Sequence, residues 1–162
     1  MSEAAERICV IITCVLIILA TIFSLPSEGA DKISALFYKY NPARAEEIAE
    51  VVRVTANDYD VNPNIIAAII VHESGVRPRA VSKGGDYGLM QVRWRVHRKT
   101  YSEIRQSAAL LFEPSINIKI GTDIFARYYK QKKTLRGALI RYNGGSASFA
   151  NRVLKTAKLI GD

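Results

Sequence analysis

Glu73 is the residue whose placement in this chain most favours acid–base chemistry. It stands near the end of the run NIIAAIIVHES, which is apolar until His72 and Glu73 and stops at Gly75. A carboxyl group at the end of an apolar helix loses hydration of its charged form, and this raises its pKa. The negative end of the helix dipole pushes the same way. Such a group holds a proton near neutral pH and can pass it to a leaving oxygen, as a general acid must. A structural glutamate paired with Arg77 or Arg79 would occupy the same place in the sequence.

The elements that must hold Glu73 read as short helices joined by loops. Asn62-Pro63 is a cap followed by proline at the first helical position, so the glutamate helix starts there. Asn41-Pro42 repeats the signal and predicts a helix to about Asn57, with Ile48, Val51, Val52 and Thr55 on one side. Val76 to Tyr87, with Pro78, Gly84 and Gly85, reads as a loop, followed by the short apolar piece Gly88 to Val92 and the basic stretch RWRVHRK. Ser102 is a candidate cap for a helix from Glu103 to Phe112. Pro114 opens another, in which Ile116, Ile120, Ile124 and Tyr128 recur every four residues. Thr134 and Ser146 are candidate caps of two final helices, separated by Asn143-Gly144-Gly145. No run alternates with strand period, so the expected fold is all-α.

The amino-terminal segment has a different character. Ile8 to Leu25 runs eighteen residues without a charge, close to the ~20 that a helix needs to cross a ~30 Å hydrocarbon layer. The expected organisation is an anchor or transmembrane helix within residues 1–30 and a soluble domain over 31–162. A cleaved signal peptide is the rival, but no clean small-residue site follows the run, since Glu28 precedes Ala30 by two. Cys9 and Cys14 both lie inside the run, so no disulfide supports the soluble part, and Ile12-Thr13 fits lipid attachment at Cys14 poorly. Arg7 on one side against Lys32, Lys39 and Arg44 on the other does not enforce an orientation. From Asp31 onward 22 Lys and Arg face 12 acidic residues. That excess favours an anionic polymer: nucleic acid, a membrane surface or an acidic cell wall.

Four short strings appear in order: Glu73-Ser74-Gly75, Ala80-Val81-Ser82, Gly88-Leu89-Met90-Gln91 and Tyr142-Asn143-Gly144-Gly145. Together, on a helical background from about Ala43 to Ile160, they resemble the SLT-type lytic transglycosylases of the lysozyme-like superfamily. The resemblance implies a lysozyme-like helical domain that cleaves the MurNAc-GlcNAc β-1,4 bond of peptidoglycan. Glu73 would match the single catalytic acid and base, with the sugar's own C6 hydroxyl as nucleophile and a 1,6-anhydro-MurNAc end as product. Ser82 and Gln91 would match groove residues that bond the sugar, Tyr142 the aromatic hydroxyl beside the acid, and Asn143 the start of the turn presenting it. Ser74 would help orient Glu73 within the substrate site. No cofactor and no metal are implied. The implied location is the inner membrane, single-pass, with the catalytic domain in the periplasm, or a virion or host envelope for a phage protein. The pathway stays open among secretion, conjugation, phage entry or lysis, and wall turnover.

Hydrolysing glycosidases generally use two carboxyl groups; an internal nucleophile explains why one suffices. Goose-type lysozyme resembles the chain equally around Gly88-Leu89-Met90-Gln91-Val92, but there an Asp follows, where this chain has Arg93. Asp86 keeps a water-using lysozyme as the alternative, and a non-catalytic wall-binding module of an envelope-spanning machine is a further one. Many family members continue after the Gln with an apolar residue, Met and Pro. Val92-Arg93-Trp94 departs from this and suggests a cationic wall favouring acidic stem peptides or anionic wall polymers. His72-Glu73 does not start a zinc-protease helix, because position 76 is Val. Gly144-Gly145-Ser146-Ala147-Ser148 lacks the closing glycine of a hydrolase elbow. Arg93, Trp94, Arg95, Arg98 and Lys99 read as a solvated basic loop over one Trp rather than a nucleic-acid patch.

Overall fold

The computed structural model describes residues 31–162. The expected membrane segment Ile8 to Leu25 lies outside the described residues. Among the described residues no helix is long and apolar enough to cross a membrane.

Asp31 caps helix α1 (Lys32–Tyr38) by accepting from the N–H groups of Ile33 and Ser34. Helix α2 (Ala45–Asp58) starts three residues later than Asn41-Pro42 suggests. The reason is tertiary: the Asn41 amide donates to the carbonyl of Val76 at 3.0 Å instead of capping its own helix. Ile48, Val52 and Thr55 are buried, as their spacing predicts. Arg53 bonds Asp31, Glu46 and Glu50 and fastens α1 to α2.

Helix α3 (Pro63–Ser74) is the central helix. Asn62 caps it by accepting from the Asn64 N–H, and Gly75 ends it in the left-handed region at φ +60°. Ile65, Ile66, Ile69 and Ile70 are all buried. Each contributes roughly 1.5–3 kcal/mol on leaving water, against about 0–1 kcal/mol for an exposed ion pair. Packing therefore fixes this helix, and with it Glu73. Val76 follows with φ +56°, fully buried, which is an uncommon backbone state for a β-branched residue.

Two-residue strands β1 (Asp86–Tyr87) and β2 (Val92–Arg93) pair antiparallel, Asp86 opposite Arg93 and Tyr87 opposite Val92. A one-turn helix α4 (Trp94–His97) carries part of the basic stretch. The helix expected over Glu103 to Phe112 is instead two 3-10 turns, Ser102–Ile104 and Ala108–Phe112. Ser102 caps nothing, whereas Ser107 accepts from the Ala109 N–H. Ile104 and Leu111 from the two turns both plug the same small core.

Helix α5 (Pro114–Lys132) is followed by α6 (Leu135–Tyr142) and α7 (Ala147–Gly161). Thr134 and Ser146 cap the last two, accepting from the N–H groups of Gly137 and Phe149. The fold is thus all-α apart from the small hairpin. One apolar cluster joins α1, α2, α3, α6 and α7 with Ile118 and Phe125 of α5. A second gathers Val92, Ile104, Leu111, Ile120 and Ile124, with Ile116 packed against it. Helix α5 lies between the two, and Tyr128 and Tyr142 touch both.

Candidate active site

A cleft of about 350 Å³ opens where the two clusters meet, and Glu73 lines it. Glu73 comes from the last turn of α3, Asn143 and Gly144 from the exit of α6, Asp86 and Arg93 from the hairpin, and Ile124 and Tyr128 from α5. The glutamate takes a hydrogen bond from the Asn143 amide nitrogen to Oε1, at 2.9 Å. Among the described residues it pairs with no cation. Arg77 donates to the carbonyl of Ser74, and Arg79 lies 6.0 Å over the Phe112 ring. Neither Arg77 nor Arg79 therefore supplies the structural pair for Glu73. Burial raises the Glu73 pKa above the usual carboxylate range; the Asn143 bond opposes this, Asp86 reinforces it, and Arg152 opposes it.

Asp86 is the second carboxyl group of the cleft and is tightly held. Arg93 donates from Nε to Oδ1 at 2.6 Å, and the Ser82 hydroxyl donates to Oδ2 at 2.7 Å. Burial would raise its pKa, but the bonds from Arg93 and Ser82 outweigh that and hold it below its ordinary value. The two carboxyl groups are thus pushed apart, Glu73 toward its neutral form and Asp86 toward its ionised form.

The other residues expected in the site fall into two groups. Gln91, Tyr142 and Asn143 line the cleft. Gln91 sits at φ +48° and its amide nitrogen donates to the carbonyls of Gly88 and Ala80. Tyr142 donates to the Met90 carbonyl at 2.8 Å, so its hydroxyl braces the loop. Burial, with the neighbouring Glu73 carboxylate next, raises its pKa well above the ordinary phenol value. Ser74 and Ser82 are not among the lining residues. Ser74 is buried and its hydroxyl donates to the carbonyl of Ile70, one helical turn back. Ser82 is used up locally, donating to Asp86 and accepting from the N–H groups of Gly84 and Asp86. In this structure the Ser74 hydroxyl thus bonds within its own helix, with lone pairs that can accept further bonds, and Ser82 bonds within its own turn.

Arg93, expected to make the wall cationic, is neutralised by Asp86. Trp94 donates from its ring nitrogen to the Ile104 carbonyl at 2.7 Å, and Arg98 covers the ring at 5.0 Å. Half-buried His97 lines the cleft, and burial lowers its pKa, with Arg127 and Arg93 adding to this.

Asn117 is the supporting residue that sequence reasoning missed. It is fully buried; its Oδ1 accepts from the Met90 N–H, and its Nδ2 donates to the carbonyls of Tyr87 and Leu111, all at 2.8 Å. With Tyr142 on the Met90 carbonyl, the backbone beside Gln91 is gripped on both sides. A Cβ at Gly88 would come within 2.1 Å of the Leu111 carbonyl, so only glycine permits this approach. The available signal was a polar side chain at i−4 and i−8 from Gly121 and Phe125, on the buried side of an amphipathic helix.

The Transglycosylase SLT domain family matches residues 50–160. The chain belongs to this family. The SLT match spans α3 to α6, most of α2 and α7, the hairpin and the cleft described above. Among curated relatives, the chain is 30% identical to membrane-bound lytic murein transglycosylase E of Buchnera aphidicola subsp. Acyrthosiphon pisum, over 67% of this chain and 55% of that protein. The chain thus spans about half the length of that curated relative. Among solved structures it is similar to an inactive mutant of lytic transglycosylase Slt from Pseudomonas aeruginosa. The TM-score is 0.53 at 19% identity, covering 68% of this chain and 22% of that one. That likeness establishes the shared fold of the SLT domain.

Proposed function

We propose that this SLT domain is a peptidoglycan lytic transglycosylase with Glu73 as its catalytic acid and base. The observation that carries the reading is a buried carboxyl group whose pKa burial raises, bonded by an amide and not by a cation among the described residues, lining an open cleft. In its acid form Glu73 protonates the glycosidic oxygen between MurNAc and GlcNAc. The resulting carboxylate then takes the proton of the C6 hydroxyl, whose oxygen attacks the anomeric carbon. The products are a 1,6-anhydro-MurNAc end and a free GlcNAc end, with no water consumed. Asn143 holds the carboxyl group in place through both steps. Ionised Asp86, lining the same cleft, supplies negative charge near the cationic anomeric centre of the transition state. Gln91, Tyr142 and Asn143 are the proposed substrate-side contacts, and Val92 and Ile124 give the cleft apolar surface.

A lysozyme reaction is the second reading, because Asp86 shares the cleft with Glu73. Both its oxygens are already engaged by Arg93 and Ser82, which disfavours it as a water-positioning group. The two reactions differ by one water in the product. Purified peptidoglycan is digested with the full chain in detergent, and the released fragments are weighed. Muramic ends short by one water are expected, and Glu73→Gln is expected to lower their release by at least about 100-fold. Full-mass reducing ends would transfer the assignment to the lysozyme reading. Binding without release would leave a non-catalytic wall-binding module.

The uncharged run Ile8 to Leu25 would anchor the domain at the outer face of the inner membrane. In support, the curated relative from Buchnera is itself described as membrane-bound.

A further inference from the structure

Among the described residues, Arg141 is the one arginine lining the cleft that is not tied to a carboxylate. It stands one residue before Tyr142 at the end of α6 and is exposed. Its guanidinium lies over the Tyr128 ring at 5.4 Å. Stacking of this kind orients the planar fork while leaving its N–H groups free at the edge. Among the described residues no carboxylate reaches it as an ion pair, whereas the other arginine of the cleft, Arg93, is bonded twice by Asp86. With Arg93 paired to Asp86, Arg141 is the arginine of the cleft left to face the substrate.

We propose that Arg141 is a specificity-determining residue that binds a carboxylate carried by the muramic residue. Resting on the transglycosylase reading above, the proposal names what the site selects among glycan strands. The carboxylate has two sources. One is the free lactyl carboxyl of a strand without peptides, and the other is an acidic residue of an attached stem peptide. Both offer two coplanar oxygens to a planar guanidinium, the pairing at which arginine excels.

Three substrates separate the sources: strands bearing peptides, peptide-free strands with the lactyl carboxyl free, and peptide-free strands whose lactyl carboxyl is converted to a methylamide. Turnover is measured for the full chain and for Arg141→Gln and Arg141→Lys. Arg141→Gln is expected to lower kcat/KM about 10- to 100-fold on a carboxylate-bearing strand, through KM. It should leave the methylamide strand unchanged, and Arg141→Lys should recover part of the loss. The peptide-bearing or the peptide-free strand showing the larger loss identifies the carboxylate. Equal losses on all three substrates, or no loss on any, would overturn the proposal. The same comparison by calorimetry, with soluble fragments and the Glu73→Gln background, needs no turnover. If the parent chain cleaves none of the strands, the transglycosylase reading fails while charge-dependent binding still decides the role of Arg141.

Discussion

Glu73, the proposed acid and base, also carries a cost to the fold. Its pKa is raised in the folded state, so folding takes up protons more readily than the unfolded chain does. The stability linked to it is fully present below the unfolded carboxyl pKa and is lost as pH rises through the folded value. Glu73→Gln keeps the oxygen that accepts from Asn143 and removes the ionisation. The variant should therefore melt at nearly the same temperature as the parent in acid and above it at neutral pH, with the gap widening as pH increases. A pH series of thermal melts reads this directly; a constant gap would mean that Glu73 ionises freely. Activity should fall as pH rises through the same folded value, because the protonated acid is the form that starts the proposed reaction. Much of this was legible in the sequence, since an apolar helix ending in glutamate and glycine announces the burial. The directions of Ser74 and Ser82 were not. A hydroxyl chooses between a substrate and its own backbone by local turn geometry, which residue type does not encode.

At the scale of elements, helix signals were read well where they are local. Asn62-Pro63, Pro114, Thr134 and Ser146 all open helices as expected. They failed where a distant partner intervenes, as at Asn41, whose amide is drawn to Val76, and over Glu103 to Phe112. Asn117 was illegible for the same reason: its three partners come from residues 87, 90 and 111. Asn117→Ala would strand one buried N–H and two buried carbonyls, at about 1–3 kcal/mol for each group left unsatisfied. A fall in Tm of roughly 10 °C or more is expected, together with faster hydrogen exchange at Met90 and Gln91. Asn117→Asp retains the acceptor for Met90 but neither donor, so it should repair the exchange at Met90 only in part. An alanine variant as stable as the parent would remove Asn117 from the support of the site.

The whole molecule is a cation, with a formal net charge of +8. Residues 124–162 hold nine Lys and Arg and a single acid, Asp162. These charges attract an anionic polymer over distance but do little chemistry, and salt should separate the two roles. Between about 0.1 M and about 1 M salt the screening length shrinks from about 10 Å to about 3 Å. Across that range KM on intact wall should rise while kcat holds; a parallel fall in kcat would mean that salt disturbs the cleft itself. Val76 has a separate consequence, in the order in which the chain assembles. Its left-handed backbone costs roughly 1–2 kcal/mol and its carbonyl is met by Asn41, 35 residues upstream. The turn behind Glu73 gains that compensation only after the segment before α2 has docked. On refolding from denaturant, the helical signal should therefore return first and the proposed glycan-cutting activity later. The molecule would pass through an interval in which it is largely folded and not yet armed.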